Sequence, residues 1–377
     1  MTYNRVVAPR SAIAVNASIV GERPTGLGHY SLQLISALDE FGERLIVYTS
    51  CPDLIAAPRA TIHRVSARMR PERGASGHLQ RLFWIQTGLR LRLQRDRPRV
   101  LLNLMPEGLL QSRLPQITVV HDLLPLRYPA EYPRQQYYFR HFIPAVLRVS
   151  RAVVVTSEST RRDLLAFYRG LSPASIHVIP CGYDARRFTA EAADRPLDGA
   201  PFALYVGNVL PHKNLLTLVE AFGMVARRHE GRLVIRGWGH PVHVQALRDR
   251  IESLGLAPRI DWQPYVSAQD LARLYRQARM LVLPSLYEGF GLTALESMAC
   301  GTPVIASNVS SLPEVVGEAA LLVEPTDVEA IAAAMTRLFN DDALVKELAT
   351  RGPTQAARFS WQKAAGAVQA LVGRVIP

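Results

Sequence analysis

Residues 281–307, LVLPSLYEGFGLTALESMACGTPVIAS, constrain the fold more than any other part of the sequence. Two short apolar runs, residues 281–283 and 303–306, flank a helical segment and are set off from it by Pro284 and Gly301. Continuous apolar runs of this length are typical of buried parallel strands. Because parallel strands need a crossover connection, the sequence predicts a β-α-β unit of an α/β domain.

The glycine-containing turn inside this unit predicts a ligand site. It lies where the chain leaves the carboxyl end of a strand and enters a helix, which is where open α/β sheets bind ligands. The free amides of the helix's first turn favour an anion such as a diphosphate. The residues of this predicted anion site are Glu288, Gly289, Phe290, Gly291, Leu292 and Thr293.

A second carboxylate follows on the predicted helix. Leu292, Leu295, Glu296 and Ala299 fall at i, i+3, i+4 and i+7, so Glu296 lies on the stripe that should face the core. A buried charge needs partners, and sugar or ribose hydroxyls would supply them. The alternative is that Glu296 lies at the edge of the stripe and reaches water.

The whole string, with Glu288 and Glu296 eight positions apart and SMACGTPVI after them, resembles the E-x7-E signature of retaining glycosyltransferase family 4. The resemblance extends to LARLY at residues 271–275 and to SLPEVV at residues 311–316. It implies an enzyme that moves a sugar from a nucleotide diphosphate. HDLLPLRYP and GNVLPHKN are most similar to the bacterial mannosyltransferases of surface polysaccharides, so GDP-mannose is the first expected donor and a UDP-hexose the second.

The fold that this resemblance implies is the GT-B fold, an α/β class with two Rossmann-like, doubly wound parallel-sheet domains facing each other across a cleft. A chain of 377 residues with 48% apolar composition can bury two cores. We expect an acceptor-binding domain at residues 1–190, a nucleotide-sugar-binding domain at residues 200–353, and a final helix at residues 354–377 that crosses back to the first domain. Residues 185–200 have the composition of a linker.

Two motifs in the first domain resemble family elements. Gly26 and Gly28 follow a strand at residues 12–17 and open a helix, like the glycine loop of the family's N-terminal domain. A dinucleotide-binding G-x-G-x-x-G is the alternative, but Ser31 replaces the third glycine. His121, after the strand at residues 117–120, resembles the family's H-D element, whose histidine lies by the transferred sugar; a structural histidine is the alternative.

The second domain starts with a strand at residues 202–206 and continues into Gly207, Asn208 and Lys213. Many family members carry an arginine directly after this glycine and a lysine a few residues on, and both bind the diphosphate. Lys213, one of only three lysines, matches the pattern, whereas Asn208 does not. The missing positive charge would come from elsewhere, with Arg236 and His212 as candidates.

The resemblance also assigns the remaining roles. Glu296 would bind the ribose, Glu288 and His121 would hold the donor sugar, and Lys213 would neutralise the diphosphate; His121, Glu288 and Lys213 are the expected catalytic residues. Tyr265 and Val266 end a predicted strand whose family counterpart lies along the nucleobase. The sequence contains no Asp-x-Asp pair, which argues against the metal-dependent transferases, and we expect neither a metal nor another cofactor.

The formal charge of +12 is concentrated in the first half, where residues 59–99 hold eleven arginines against two acidic residues. Such a surface binds nucleic acid or anionic lipid through charge. A basic amphipathic helix is predicted at residues 77–97, either on a membrane surface or packed on the core with a solvated outer face. No recognisable DNA- or RNA-binding signature accompanies the charge, so an anionic membrane surface is the expected partner and nucleic acid is not.

Composition predicts the compartment. The sequence has no apolar run of 18 residues and no leader-like N-terminus, so we expect a cytoplasmic protein, peripheral at the inner face of the cell membrane. The acceptor would be a glycan or a lipid-linked sugar. A sugar-nucleotide epimerase or hydrolase of the same fold is the alternative enzyme, and a basic nucleic-acid-binding protein is the alternative from another class.

Overall fold

The computed structural model describes residues 12–190, 200–264 and 266–376. The chain divides into two compact units. The first unit contains the chain up to Cys181 together with the segment from Trp361 onward, and the second unit is Gly182–Ser360. The division therefore falls at Cys181 and Ser360, whereas the sequence placed the boundaries at residues 190–200 and 353–354.

The first unit is built on a seven-stranded sheet with the order β3-β2-β1-β4-β5-β6-β7, and every pairing is parallel. The central strands β1, β4, β5 and β6 are buried along their whole length, as their apolar sequences predict. The strands are β1 Ile13–Asn16, β2 Leu45–Thr49, β3 Thr61–Arg64, β4 Val100–Asn103, β5 Gln116–Val120, β6 Ala152–Val155 and β7 Ile176–Val178. Its helices are α1 Gly26–Glu40, α2 Gly74–Trp84, α3 Arg90–Asp96, α4 Leu124–Arg127, α5 Gln135–Tyr137, α6 Ile143–Val149, α7 Glu158–Phe167 and α15 Trp361–Val375.

The second unit is built on a six-stranded parallel sheet with the order β10-β9-β8-β11-β12-β13. Its strand order reverses between β8 and β11, which is the position where open parallel sheets form their ligand crevice. The strands are β8 Phe202–Val206, β9 Arg232–Arg236, β10 Ile260–Gln263, β11 Met280–Leu283, β12 Val304–Ser307 and β13 Ala320–Val323. The helices are α8 Leu215–Ala226, α9 Pro241–Ser253, α10 Ala268–Gln277, α11 Leu292–Ala299, α12 Leu312–Val316, α13 Val328–Asn340 and α14 Asp342–Ala356.

The final helix α15 begins later than the sequence suggested. Helix α14 accommodates Pro353 and continues to Ala356, and the chain breaks before Trp361 rather than at residue 354. Within the first unit α15 packs on α1, where the Tyr30 and Trp361 rings lie edge to face at 5.4 Å. Gln369 Nε2 donates to Glu43 Oε1 at 3.0 Å. A buried aromatic pair and a polar contact therefore hold the C-terminal helix in the first unit.

The helix predicted at residues 77–97 is interrupted by a π-helical turn at Ile85–Leu89. Its buried positions are Gly77, Arg81, Ile85, Leu89 and Leu93, which are spaced by four residues. In a regular α-helix, side chains four residues apart are rotated by about 40° from one another around the helix axis. The π turn has more residues per turn and so cancels part of this rotation.

The exposed side of the same helix differs from the prediction. A regular amphipathic helix over residues 77–97 would carry Leu79 and Phe83 on its apolar face, but they are 67% and 72% exposed. The reason is the four-residue register, which turns Arg81 toward the core instead. Trp84 packs inward against Tyr48, with their ring centroids 6.3 Å apart.

Gly237, in the loop after β9, packs against the backbone of Gly207, in the loop after β8. A Cβ added at Gly237 would lie 1.7 Å from the carbonyl oxygen of Gly207. The two loops also share a backbone hydrogen bond, from the amide of Val209 to the carbonyl of Trp238 at 2.8 Å. Only glycine at residue 237 therefore allows the two loops to meet.

We expect Gly237→Ala to lower the unfolding free energy by about 2 kcal/mol, because the added methyl group forces the loops apart. In a unit of this size that corresponds to a loss of roughly 4–8 °C in Tm. Gly373→Ala is the matched control, since a Cβ there meets nothing within 4 Å in a helix where alanine is the better helix former. Equal Tm values for the two variants, measured by circular dichroism, would contradict the close contact.

Candidate functional site

Lys213 and Glu288 come together at the carboxyl edge of the second sheet. Lys213 ends a short 3₁₀ turn after β8, and Glu288 lies in the loop after β11. The Lys213 Nζ atom is 2.7 Å from Glu288 Oε1 and 2.8 Å from Oε2, so the ammonium donates to both carboxylate oxygens. Their side chains are 21% and 13% exposed, which keeps the pair accessible from one side. The structure thus joins two residues that are 75 positions apart.

Three serines fix the Glu288 loop, and the sequence analysis did not assign them. Ser285 Oγ donates to Glu288 Oε1 at 2.8 Å, and Ser311 Oγ donates to the Glu288 carbonyl at 2.9 Å and to the Phe290 carbonyl at 2.8 Å. Ser310 Oγ accepts from the Glu288 amide at 3.1 Å and donates to its carbonyl at 2.5 Å. Ser310 adopts the left-handed region, with φ 60°, which a non-glycine residue occupies at a cost.

Asn214 ties the loop after β8 to the loop after β11. It follows Lys213 in the left-handed conformation, with φ 61°. Its Nδ2 atom donates to the carbonyl of Pro284 at 3.0 Å and to that of Pro325 at 2.6 Å. The amide of Leu286 donates to the His212 carbonyl at 2.7 Å. These bonds set the distance across which Lys213 meets Glu288.

Helix α11 begins beside Glu288 in a geometry that suits an anion. Gly291 precedes it with φ 105°, and no side chain caps its first turn, where Leu292 and Thr293 are half-buried. Phe290 is buried and its ring lies edge to face with that of Phe359 at 5.8 Å. Because the first amides of a helix carry a partial positive charge, this terminus favours an anionic group.

Glu296, one turn further along α11, lies in a different environment from Glu288. Burial raises the pKa of Glu296 to about 8, although a hydrogen bond from Tyr275 and the charge of Arg187 oppose the shift. Tyr275 Oη donates to Glu296 Oε2 at 3.2 Å. The raised pKa favours the protonated form of Glu296 at neutral pH.

Several predicted residues are engaged elsewhere in the second unit. Arg236 is buried at the end of β9, where Nη2 donates to Asp261 Oδ2 at 2.6 Å and Nη1 donates to the Ile235 and Asp261 carbonyls. Its guanidinium is committed to this cluster, and His212 is buried.

Asn208 is exposed in the loop after β8, and its carbonyl accepts a hydrogen bond from Tyr205 Oη at 3.0 Å. The neighbouring Gly207 has a φ of 153°. Val266 is half-buried, between β10 and α10. Tyr265 lies outside the described residues.

His121 occupies the carboxyl edge of the first sheet, directly after β5. Its Nε2 atom lies 2.9 Å from the Leu104 carbonyl, which can only accept, so Nε2 carries the proton. Burial lowers the pKa of His121, and the Leu104 bond opposes the shift only in part. The Tyr30 ring lies edge to face with the imidazole at 4.5 Å. The neutral ring therefore keeps Nδ1 as an acceptor suited to a hydroxyl.

The glycine loop of the first unit leads into α1. A Cβ at Gly28 would lie 2.9 Å from Pro24 Cβ, so this glycine serves packing. A Cβ at Gly26 would meet nothing within 4 Å, so the space above the first turn of α1 is open. Gly26 thus leaves room for a ligand at the helix start.

Comparisons with protein-family models and known proteins identify the family of this chain. The model described as glycosyl transferases group 1 matches residues 188–355, and the model described as glycosyltransferase family 4 matches residues 24–187. The O-antigen chain mannosyltransferase B of Escherichia coli is 33% identical over 68% of this chain and 70% of that protein. The serotype-specific mannosyltransferase WbdA of the same organism is 28% identical over 66% of this chain, but that match spans only 32% of WbdA.

Solved structures show the same fold. The sucrose-phosphate synthase of Thermosynechococcus elongatus superposes with a TM-score of 0.80 at 24% identity, covering 97% of this chain and 99% of that one. The Anabaena protein HepE, in complex with UDP and glucose, has a TM-score of 0.76 at 15% identity, covering 96% and 99% of the two chains.

The two parallel sheets and the superposition on these structures confirm the expected GT-B fold class, and the family models identify a glycosyltransferase. The chain belongs to glycosyltransferase family 4.

If Glu296 binds ribose hydroxyls as a carboxylate, affinity for GDP-mannose should rise about tenfold per pH unit from pH 6.5 until it levels off near pH 8. Affinity rises with pH because the pKa of Glu296 is raised. At a pH below this pKa, binding to the carboxylate form must first release the proton of Glu296. Isothermal titration calorimetry measures the trend, and Glu296→Gln should abolish it. The same slope in Glu296→Gln would assign the titration to another group.

Proposed function

We propose that this enzyme transfers mannose from GDP-mannose, with retention of configuration and without a metal ion, onto a glycan or lipid-linked acceptor. The observation that carries the proposal is the bidentate contact of Lys213 with Glu288 beside the start of α11. That arrangement supports a leaving diphosphate and a sugar hydroxyl at adjacent positions. A second glutamate at the ribose end fits a nucleoside diphosphate sugar.

In the proposed reaction, positively charged groups lie where negative charge develops on the leaving diphosphate. The bond between the mannose C1 atom and the diphosphate oxygen breaks, and the negative charge on the diphosphate is stabilised by Lys213 and by the amides at the start of α11. The acceptor hydroxyl forms its bond to C1 on the face that the nucleotide leaves, and its proton passes to a diphosphate oxygen. Glu288 and His121 Nδ1 would hold donor-sugar hydroxyls.

Mannose is proposed from the relatives. The names of the matched Escherichia coli proteins specify mannosyl transfer, one of them in the O-antigen chain, and this supports a role in polysaccharide biosynthesis. A UDP-hexose is the second candidate, because HepE was solved with UDP and glucose. An epimerase or hydrolase would use the same donor site and release nucleotide without an acceptor.

The decisive assay compares GDP-mannose, UDP-glucose, UDP-galactose and UDP-N-acetylglucosamine by thermal shift and then by acceptor-dependent nucleotide release. We expect GDP-mannose to give the largest shift, and release of GDP to require an acceptor and to persist in excess EDTA. Loss of activity in EDTA with rescue by Mg²⁺ or Mn²⁺ would refute the metal-free proposal.

Glu288→Gln should lower kcat by roughly 10²-fold with unchanged folding. Glu347→Gln, an exposed glutamate on α14, is the control.

The arginine-rich surface of the first unit supports membrane docking. Leu79, Phe83 and Leu91 are 67%, 72% and 67% exposed on α2 and α3. Arg90, Arg92, Arg95 and Arg97 lie in or directly after α3. Exposed apolar residues next to basic ones are typical of helices that lie on anionic bilayers. Among the described residues, no helix has the length and apolar character needed to span a bilayer.

Charge reversal of Arg90, Arg92, Arg95 and Arg97 to Glu should abolish sedimentation with phosphatidylglycerol vesicles at low salt, since each basic group contributes about 1 kcal/mol at such a surface. Donor affinity should be unchanged, because the nucleotide site is proposed in the other unit. Reversal of Arg227, Arg228, Arg337 and Arg351, in the second unit, is the control for net charge. Sedimentation of the first variant, or none with the wild type, would exclude this docking surface.

A further inference from the structure

The first unit contains a pocket of about 300 Å³ that none of the predicted site residues line. It lies between the loop that precedes α1 and the turns at residues 66–73 that precede α2. Its lining residues are Glu22, Ala67, Arg70, Glu72 and Arg73. Ser50, which contacts Arg70, directly follows β2, so the pocket is at the same edge of the sheet as His121 and the glycine loop.

The guanidinium of Arg70 is fixed before any ligand arrives. Its Nη2 atom donates to the carbonyl of Ser50 at 3.0 Å, and its Nε atom lies 3.4 Å from Ser50 Oγ. Nη1 forms an ion pair with Glu22, whose side chain is 68% exposed. Because Ser50 is itself buried, Arg70 is anchored to the sheet and holds Glu22 at the pocket rim.

The Glu72 carboxylate is also held in place, by backbone atoms. Its Oε1 atom accepts from the amide of Arg23 at 3.2 Å. Burial alone would raise the pKa of Glu72, but backbone amides and the charge of Arg70 outweigh it and lower the pKa, so the group is ionised. Gly21 makes room for it, because a Cβ at that position would lie 2.2 Å from Glu72 Oε1. The chain thus keeps a carboxylate at this wall by leaving out a side chain.

The charges of the lining determine what fits. Two carboxylates and two guanidinium groups cancel, so the pocket favours neither an anion, such as a phosphate, nor a cation. An uncharged polyol can bind to both kinds of charged group. Its hydroxyls donate to the carboxylates and accept from the arginines in charge-assisted hydrogen bonds. The volume is at the lower end of the range for small-molecule sites and suits a sugar rather than a nucleotide or a lipid.

We propose that this pocket, formed by Glu22, Arg70, Glu72 and Arg73, binds an uncharged sugar residue of the acceptor. The inference rests on the proposed sugar transfer and adds the chemical class and position of the acceptor subsite. Because the charges of the lining balance, a phosphorylated sugar gains no advantage over a neutral one in this pocket.

Saturation-transfer NMR with simple glycosides tests the pocket without requiring turnover. The probes are the methyl α-glycosides of mannose, glucose, galactose and N-acetylglucosamine, together with mannose 6-phosphate. We expect at least one neutral glycoside to bind the wild type, and its Kd to increase at least tenfold in Glu72→Gln and Gly21→Ala. Glu40→Gln, at the opposite end of α1, should bind like the wild type.

The two variants protect the test against misfolding. Glu72→Gln keeps the shape of the side chain and removes only its charge, whereas Gly21→Ala displaces the carboxylate sterically. Unchanged Tm in Glu72→Gln identifies a lost ligand contact. The proposal is overturned if no neutral glycoside binds, if Glu72→Gln retains wild-type affinity, or if mannose 6-phosphate binds tenfold more tightly than the mannoside.

Kinetics separate this inference from the proposed function. With the binding glycoside as acceptor, Glu72→Gln should raise the acceptor KM at least tenfold and leave the donor KM unchanged. Transfer with an unchanged acceptor KM would refute the pocket while the transferase proposal stands. Glycoside binding that is lost in both variants, with no transfer from any sugar nucleotide, would refute the proposed function and leave the pocket in place.

Discussion

The contact between Lys213 and Glu288 is the interaction on which the arrangement of the second unit depends. A half-buried ammonium and carboxylate need partners, and the loops after β8 and β11 supply them to each other. The serines around Glu288 and the amide of Asn214 hold those loops at the required separation. A substrate diphosphate would compete with Glu288 for Lys213. Glu288 would therefore keep the Lys213 ammonium paired until a diphosphate binds.

The two glutamates of the E-x7-E signature differ because their surroundings differ. Glu288 meets a cation and stays within reach of solvent, whereas Glu296 is buried beside the Tyr275 hydroxyl and has a pKa raised to about 8. One helical turn plus a loop therefore separates a charged group from a neutral one. This division suits a ligand with an anionic centre and a neutral polyhydroxylated end, which is the chemistry of a nucleoside diphosphate sugar.

The first unit combines several polar features along one edge of its sheet. Desolvation lowers the pKa of His121, and the carbonyl of Leu104 decides which of its nitrogens carries the proton. The pocket beside Gly21 balances two carboxylates against two arginines. The arginines of α3 belong to the same compact unit as this pocket.

The sequence by itself determined strands β1, β5, β8, β11 and β12, the β-α-β unit around Glu288 and the position of Lys213 after β8, because apolar runs and glycine turns are local signals. Only the tertiary structure decided which side chains meet. It turned Arg236 toward Asp261, buried Arg81 and exposed Leu79 in the helix with the π turn, and brought Glu72 against Gly21. These outcomes depend on packing between segments that are distant in sequence, and no periodicity along the chain encodes such contacts.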